Sequence, residues 1–531
     1  MSKRLLMILL LAVIVVLAAL AGPALAGDPS GLKTGGKDAY DALFAGKSME
    51  EAIGHTAVAL NFVWVFLAAI LVFFMQAGFA LVETGFCRAK NAAHVIMTNF
   101  VIFAIGALAY WAIGFGLMFG GAGGIASLGG LAPLNGLFEI VKGWGIFGTK
   151  GFFLVGASYD VGVFMLFLFQ MVFMDTAATI PTGGMAERWK FSAFCVYGIF
   201  IAAILYPIYG NWVWGGGWLA KLGSNLGLGN GYIDWAGSSV IHAVGGLTAL
   251  AGAIVLGPRI GKFKKDGTPN AMPGHHLPMA ILGTIILAFG WFGFNAGSSL
   301  AATDLRISVI AVNTILAGAA GAIMAMLYVW RRFGKPDPSM TANGMLAGLV
   351  AITAPCAFVG PVSAVIIGGI AGVLVVFSVL FVERVLKVDD PVGAVSVHGV
   401  CGIWGVVSLG IFADGTYGAG YNGVSTTVKG LLYGGTSQFY AQLIGAGTVI
   451  VYAFGLAYVF FKVQDAVMGI RSAREDELGG LDIPEMGVLA YPEFEYRGAD
   501  GDGRGDVESE EGRVRSEKGR ASAGASAESA G

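Results

Sequence analysis

The sequence predicts an all-α integral membrane fold: eleven transmembrane helices, an inverted 5+5 repeat plus one C-terminal helix, with the N-terminus out and the C-terminus in. Three observations carry the prediction. Of the 531 residues, 56% are hydrophobic and only 12% charged, and the mean hydropathy is +0.74, which marks a polytopic membrane protein. The apolar residues gather into eleven runs long enough to cross a hydrocarbon core of about 30 Å as helices. One frame also occurs twice, as Gly237-Ser-Ser-Val-Ile-His242-Ala-Val-Gly-Gly246 and Gly393-Ala-Val-Ser-Val-His398-Gly-Val-Cys-Gly402.

Residues 1–26 read as a signal peptide. Lys3 and Arg4 precede an apolar run from Leu5 to Ala21, and Ala24-Leu-Ala26 offers the small residues of a cleavage site. Cleavage after Ala26 is favoured over retention as an anchor, and leaves 27–55 as a polar extracytoplasmic segment. A transmembrane domain over 56–463 follows, with spans expected at 57–82, 93–119, 159–185, 192–214, 237–257, 278–298, 304–330, 340–359, 362–385, 392–412 and 437–463. The 84 glycines lie throughout these runs, as closely approaching membrane helices require.

Orientation follows from the basic residues. Loops after the odd-numbered spans hold Arg88 and Lys90, Arg188 and Lys190, Arg259, Lys262, Lys264 and Lys265, Arg331, Arg332 and Lys335, then Arg384 and Lys387. The others hold only Lys142, Lys150, Lys221, Arg306 and Lys429. Basic loops stay inside, so the mature N-terminus is out and the C-terminus in.

The matched frames fall in spans 5 and 10. If spans 1–5 and 6–10 are repeats, an odd number in each inverts the second, and a substrate route lies where the two meet. Gln76-Ala-Gly78 in span 1 and Asn295-Ala-Gly297 in span 6 are a fainter echo. An ionisable side chain at bilayer depth is costly and faces a pathway more often than lipid. Neutral imidazole offers one donor and one acceptor, so His242 and His398 can form a hydrogen-bonded pair in a narrow route. Such a pair accepts a bond from a small uncharged donor, relays a proton, or simply ties two helices together.

Several chemistries are excluded. Cys87, Cys195, Cys356 and Cys401 show no paired spacing, so neither a disulfide framework nor a metal site is expected. Gly120-Gly-Ala-Gly-Gly124 lacks the Lys-Ser/Thr of a phosphate loop. His275 and His276 offer at most an adventitious metal site. No nucleophile, base and acid set appears, so no enzyme activity, cofactor or nucleic-acid partner is expected.

Four stretches together resemble the ammonium transporter (Amt/Mep/Rh) family, Amt-type: Phe289-Gly-Trp-Phe-Gly-Phe-Asn-Ala-Gly-Ser298, Asp389-Asp-Pro-Val-Gly-Ala-Val-Ser-Val-His-Gly399, Trp214-Gly-Gly-Gly217 and Met185-Ala-Glu-Arg188. The resemblance runs from about residue 56 to about residue 495. It implies an outer ammonium site at Trp214, Phe173 and Ser298, and a gate of two stacked rings at Phe173 and Phe294. Trp291 matches a pore-lining position, and Asp234 an acid that supports the binding site; an N-cap reading of Asp234 stands beside that one. Trp212, Trp218 and Trp235 read instead as interfacial belt residues. The implied mechanism is cation selection outside, loss of a proton at the phenylalanines, and passage of ammonia past His242 and His398. Whether the proton follows is left open.

Where some relatives carry a second acid after Asp-Asp-Pro, this chain has Gly393, and Asp389 and Asp390 read as a cap for span 10. Residues 464–495, with Arg471-Ser-Ala-Arg-Glu-Asp-Glu477 and Gly480-Leu-Asp-Ile-Pro-Glu-Met-Gly487, resemble the family's cytoplasmic regulatory segment. That segment packs beneath the neighbouring subunit of a homotrimer. Pro484, Glu485 and Met486 stand where relatives have Thr or Glu then His, so a threonine phosphoswitch is absent. The tail 496–531 is too polar to fold alone. A PII-type signalling protein is the partner the family implies, and the basic stretch Arg259 to Lys265 serves either that partner or orientation alone. The other classes considered are an ammonium sensor acting through such a partner and an Rh-like neutral gas channel; Trp214 argues against the latter.

Overall fold

The computed structural model describes residues 49–492 apart from 124, 130–133, 419–423 and 425. The expected signal peptide, all but the end of the 27–55 segment, and the tail from 493 lie outside the described residues. Apolar helices follow one another as α1 Ile53–Phe86, α2 Ala89–Phe119, α3 Val161–Gly184, α4 Phe191–Val213, α5 Ser238–Leu256, α6 Leu277–Ser299, α7 Ile307–Phe333, α8 Pro338–Ile352, α9 Pro361–Arg384, α10 Val395–Phe412 and α11 Thr436–Met468. Among the described residues, ten are long and apolar enough to cross a membrane, and α8 is shorter.

The span expected at 340–359 ends as regular helix at Ile352 and continues as turns over 353–358, where Pro355 has no N–H to donate. The freed backbone is not left bare. Trp235 and Ala236 donate to the carbonyls of Ala354 and Thr353, and the Ala354 N–H donates to Ser238 Oγ at 2.7 Å. Irregular backbone is tolerated at such depth only when buried protein satisfies it in this way.

α5 lies at the centre, with 83% of its apolar window buried against 33% in α1, α2 and α7. It crosses α10 with no side chain between the two backbones. A Cβ on Gly246 would stand 2.1 Å from the Gly399 nitrogen, and one on Gly402 would stand 2.9 Å from the Ala243 nitrogen. In the repeated frame Gly246 corresponds to Gly402 and Ala243 to Gly399, so these two contacts are equivalents. The fainter echo behaves alike: Gln76 Nε2 donates from α1 to the Asn99 carbonyl of α2, and Asn295 Nδ2 from α6 to Thr314 Oγ1 of α7.

Among the described residues, six of the apolar helices are locally widened into π turns, and three of these segments carry predicted pore residues: Ser238–Ala243 with His242, Phe292–Ala296 with Phe294, and Val395–Val400 with His398. One extra residue per turn re-aims a side chain without ending the helix. Between α2 and α3 a small hairpin, β1 Leu137–Glu139 with β2 Gly145–Gly148, lies against the end of α4, where Trp212 Nε1 donates to the Ile146 carbonyl.

At the opposite end a buried ion network joins the loops. Arg259 donates to both Asp389 oxygens, at 2.8 and 2.9 Å, and to Glu187 at 2.7 Å; Arg88 pairs with the same glutamate. Burial works against ionisation of Asp389, yet the charge of Arg188 and the bonds and charge of Arg259 hold its carboxyl well below the usual carboxylate range. Asp389 is therefore an ion-pair residue rather than a cap, and Asp390 alone caps α10, accepting from the N–H groups of Gly393, Ala394 and Val395. Arg259 and Lys262, the latter paired with Glu383, are consumed internally, which leaves Lys264 and Lys265 exposed.

The chain after α11 folds back onto this end. Asp482 accepts from the N–H groups of Ala93 and His94 near the start of α2, and Glu485 from that of Phe191 at the start of α4. Glu477 pairs with Arg471 and accepts from Ile260 N–H. Carboxylates at helix N-termini satisfy otherwise orphaned donors, about 0.3–1 kcal/mol each on the surface and more when buried. His275 bonds the Cys87 carbonyl and the Tyr491 hydroxyl, and His276 caps α6, so both rings already have structural partners.

Candidate functional site

The predicted residues come together in one column. Trp214, half-buried at the end of α4, donates its indole N–H to the Asp234 carbonyl at 2.7 Å. This bond occupies the indole donor and fixes the ring plane. Its ring meets that of Phe173 edge-on, 6.4 Å between centroids. Phe173 stacks on Phe294 at 4.2 Å with 13° between planes, and both are essentially inaccessible. Ser298, one turn past Phe294 and partly exposed, donates its hydroxyl to the Phe294 carbonyl at 2.8 Å. With its proton so placed, the oxygen lone pairs remain for a donor from outside.

Below the rings the column turns polar at two histidines. His242 lies 5.5 Å from Phe294 and 5.3 Å from Trp291, stacked on both, and 5.2 Å from His398. The two imidazoles face each other Nδ1 to Nδ1 at 3.1 Å, so one must donate and the other accept. The His242 Nε2 is buried with no hydrogen-bond partner among the described residues. Trp291 is held by its N–H on Thr353 Oγ1 at 2.9 Å, and Phe79 stands 6.1 Å from His398 on the far side.

The carboxylate of Asp234 caps α5. Both oxygens are consumed at the start of α5, accepting from the N–H groups of Gly237, Ser238, Ser239 and Val240 and from the Ser239 hydroxyl, between 2.7 and 3.0 Å. It is an N-cap, and it reaches the site through its carbonyl on Trp214. Asp390 likewise caps α10, eight residues before His398. Gly237 and Gly393 have φ of 111° and 84°, a geometry open to glycine, which accounts for Gly393 standing where an acid was considered.

One expectation changes here. Trp235 is only 3% exposed, donates to the Asn295 carbonyl and carries Arg306 over its ring, so it is a packing residue rather than a belt residue. Two acids on apolar helices, Glu83 on α1 and Asp175 on α3, are buried beyond the residues the sequence points to. Each is 2% exposed; Asp175 lies within the span expected at 159–185 and meets the criterion that singles out the histidines, whereas Glu83 falls one residue past the span expected at 57–82.

Comparison with known proteins gives the column its context. The profile described as Ammonium Transporter Family matches residues 63–491. Ammonium transporter Amt2 of Archaeoglobus fulgidus is 51% identical over 438 residues, covering 82% of this chain and 89% of that protein. Ammonium transporter Amt1 of Haloferax mediterranei is 37% identical, with 82% and 80% covered. Among solved structures, one titled Sensor Amt Protein superimposes with a TM-score of 0.70 at 37% identity, over 81% of this chain and 99% of its own. Mep2 from Candida albicans gives 0.67 at 27% identity, over 82% and 90%. With a match along most of its length and relatives named as transporters rather than enzymes, this chain is a multi-pass membrane protein of the ammonium transporter family.

Proposed function

We propose that the protein recruits ammonium at Trp214, Phe173 and Ser298, removes a proton at the Phe173–Phe294 gate, and conducts ammonia past His242, Trp291 and His398. The observation that carries this reading is the column itself: an aromatic face, a closed hydrophobic pair and a neutral-capable histidine pair in immediate succession. A cation over a tryptophan face gains about 0.5–2 kcal/mol, whereas a bare cation between two phenylalanines keeps none of its hydration and loses several kcal/mol or more. Ammonia carries no charge and donates to an open imidazole nitrogen such as His242 Nε2. The half-buried tryptophan against the gate favours this over a neutral gas channel.

The architecture we assign is eleven spans in a five-plus-five inverted repeat, N-terminus out, C-terminus in, in the cell membrane. The equivalent contacts of Gly246 and Gly402, the paired caps Asp234 and Asp390, and the basic loops at the end opposite Trp214 support it. A lipid-facing surface rich in Leu67, Phe73, Phe74, Phe100 and Leu108 suits a bilayer or neighbouring subunits of a homotrimer. Lys264 and Lys265, exposed in the loop that meets the folded-back C-terminal segment at Ile260, are the positions a PII-type partner would meet. In proteoliposomes given an ammonium pulse, the wild type is expected to accelerate uptake over protein-free vesicles and His242→Ala to lose most of that gain. Full uptake in His242→Ala would remove the histidines from the route.

A further inference from the structure

Past His398 the column opens into a narrow pocket walled by Phe79, Glu83, Ile180, Asn343, Val397 and His398. Among the residues that line it, Glu83 is the one acid and His398 the one base. Glu83 sits 2% exposed on α1, and its Oε2 accepts from Asn99 Nδ2 of α2 at 2.7 Å and Thr182 Oγ1 of α3 at 2.6 Å. Its other oxygen lies beside Gly183, where an added Cβ would come within 2.9 Å of it. The titratable groups around it are Asp390 before α10, His398 on α10, Tyr197 on α4 and Cys87 at the end of its own helix. Neither hydrogen bond to it comes from a lysine or arginine, and Arg188, just past the end of α3, donates instead to the carbonyls of Gly184, Ala186, Gly257 and Asp389. A glutamate whose only task was to join Asn99 and Thr182 would be replaced at lower cost by glutamine, because an acid at this depth without a cation is expensive.

We infer that Glu83 is the proton donor at the inner end of the pore, returning a proton to ammonia once it has passed His398; this rests on the ammonia-conducting reading above. The nitrogen lone pair takes the carboxyl proton, the O–H bond breaks, and ammonium forms beside the glutamate carboxylate. That anion is the counter-charge that makes a cation tolerable there. The carboxylate then takes a proton from hydronium of the inner solution, leaving water, and the cycle closes.

The test is the initial rate of ammonium uptake into proteoliposomes over a series of internal pH values, for wild type, Glu83→Gln and Thr182→Val. Glutamine keeps the hydrogen bonds but exchanges no proton. Glu83→Gln is expected to retain the wild-type melting temperature and outer ammonium affinity, to lower the rate on the order of tenfold or more, and to lose the dependence on internal pH. Thr182→Val removes one donor to the anion and is expected to move the internal-pH midpoint upward. A Glu83→Gln protein with the wild-type rate and internal-pH profile overturns the assignment. Should that variant not fold, an unmoved midpoint in Thr182→Val overturns it equally. A wild type that carries no ammonium overturns the ammonia-conducting reading itself, and this assignment with it.

Discussion

Trp214 is fixed by its own donor, so what it presents to a cation is a ring face rather than an N–H. Replacing it with leucine keeps an apolar but smaller side chain and removes the quadrupole. Trp214→Leu is therefore expected to raise the ammonium concentration for half-maximal uptake about 2- to 30-fold, the equivalent of 0.5–2 kcal/mol, with the maximal rate far less affected; an unchanged half-saturation would place the cation elsewhere. At this scale the sequence was most legible where a residue is costly in lipid, as with His242 and His398, whose burial needs a reason. Asp175 carries the same signal without a repeated frame, whereas Glu83 lies just past the apolar run expected to span. The part played by Asp234 was not legible, because only the folded chain shows both carboxylate oxygens spent on α5 and the carbonyl turned to Trp214.

The elements meet through glycine, and that contact is what brings the histidines within 3.1 Å. Gly246→Ala places a methyl 2.1 Å from the Gly399 nitrogen, and α5 and α10 must part. Overpacking of this kind costs about 1–3 kcal/mol or more, so a lower melting temperature in detergent and weaker transport are expected. Gly447→Ala on α11, whose Cβ would meet nothing within 4 Å, serves as the control and should melt no lower than wild type. The Arg259–Asp389 pair offers a second test. Its carboxyl is depressed in the folded state, so its contribution is present above the unfolded value and is lost as pH falls through the folded one. Asp389→Asn is expected to cost about 3–5 kcal/mol at neutral pH. That deficit should stay level down to about pH 5 and close only below about pH 4; a gap closing near neutrality would mean the pair is not ionised as described. Helix existence was legible from hydropathy, because lipid forces each backbone group to find a partner within the chain. The π segments were not, since one inserted residue leaves an apolar run looking unchanged. The break at Pro355 was masked likewise by its apolar neighbours.

Over the whole molecule, the function we propose makes selection and conduction separate tasks at successive depths: a cation is held on an aromatic face, then a closed hydrophobic pair admits only what can shed its charge. The repeated histidine frame made the existence of a route legible. Its order from Trp214 through Phe173, Phe294 and His242 to His398 needed the fold, because these residues come from α3, α4, α5, α6 and α10. Potassium tests this directly, being close to ammonium in size and charge but having no proton to lose. In proteoliposomes given equal pulses of ammonium and potassium, the account predicts uptake of ammonium faster than in protein-free vesicles and no acceleration of potassium uptake. Potassium entering at a rate comparable to ammonium would contradict it, since the intact cation would then be crossing the Phe173–Phe294 gate.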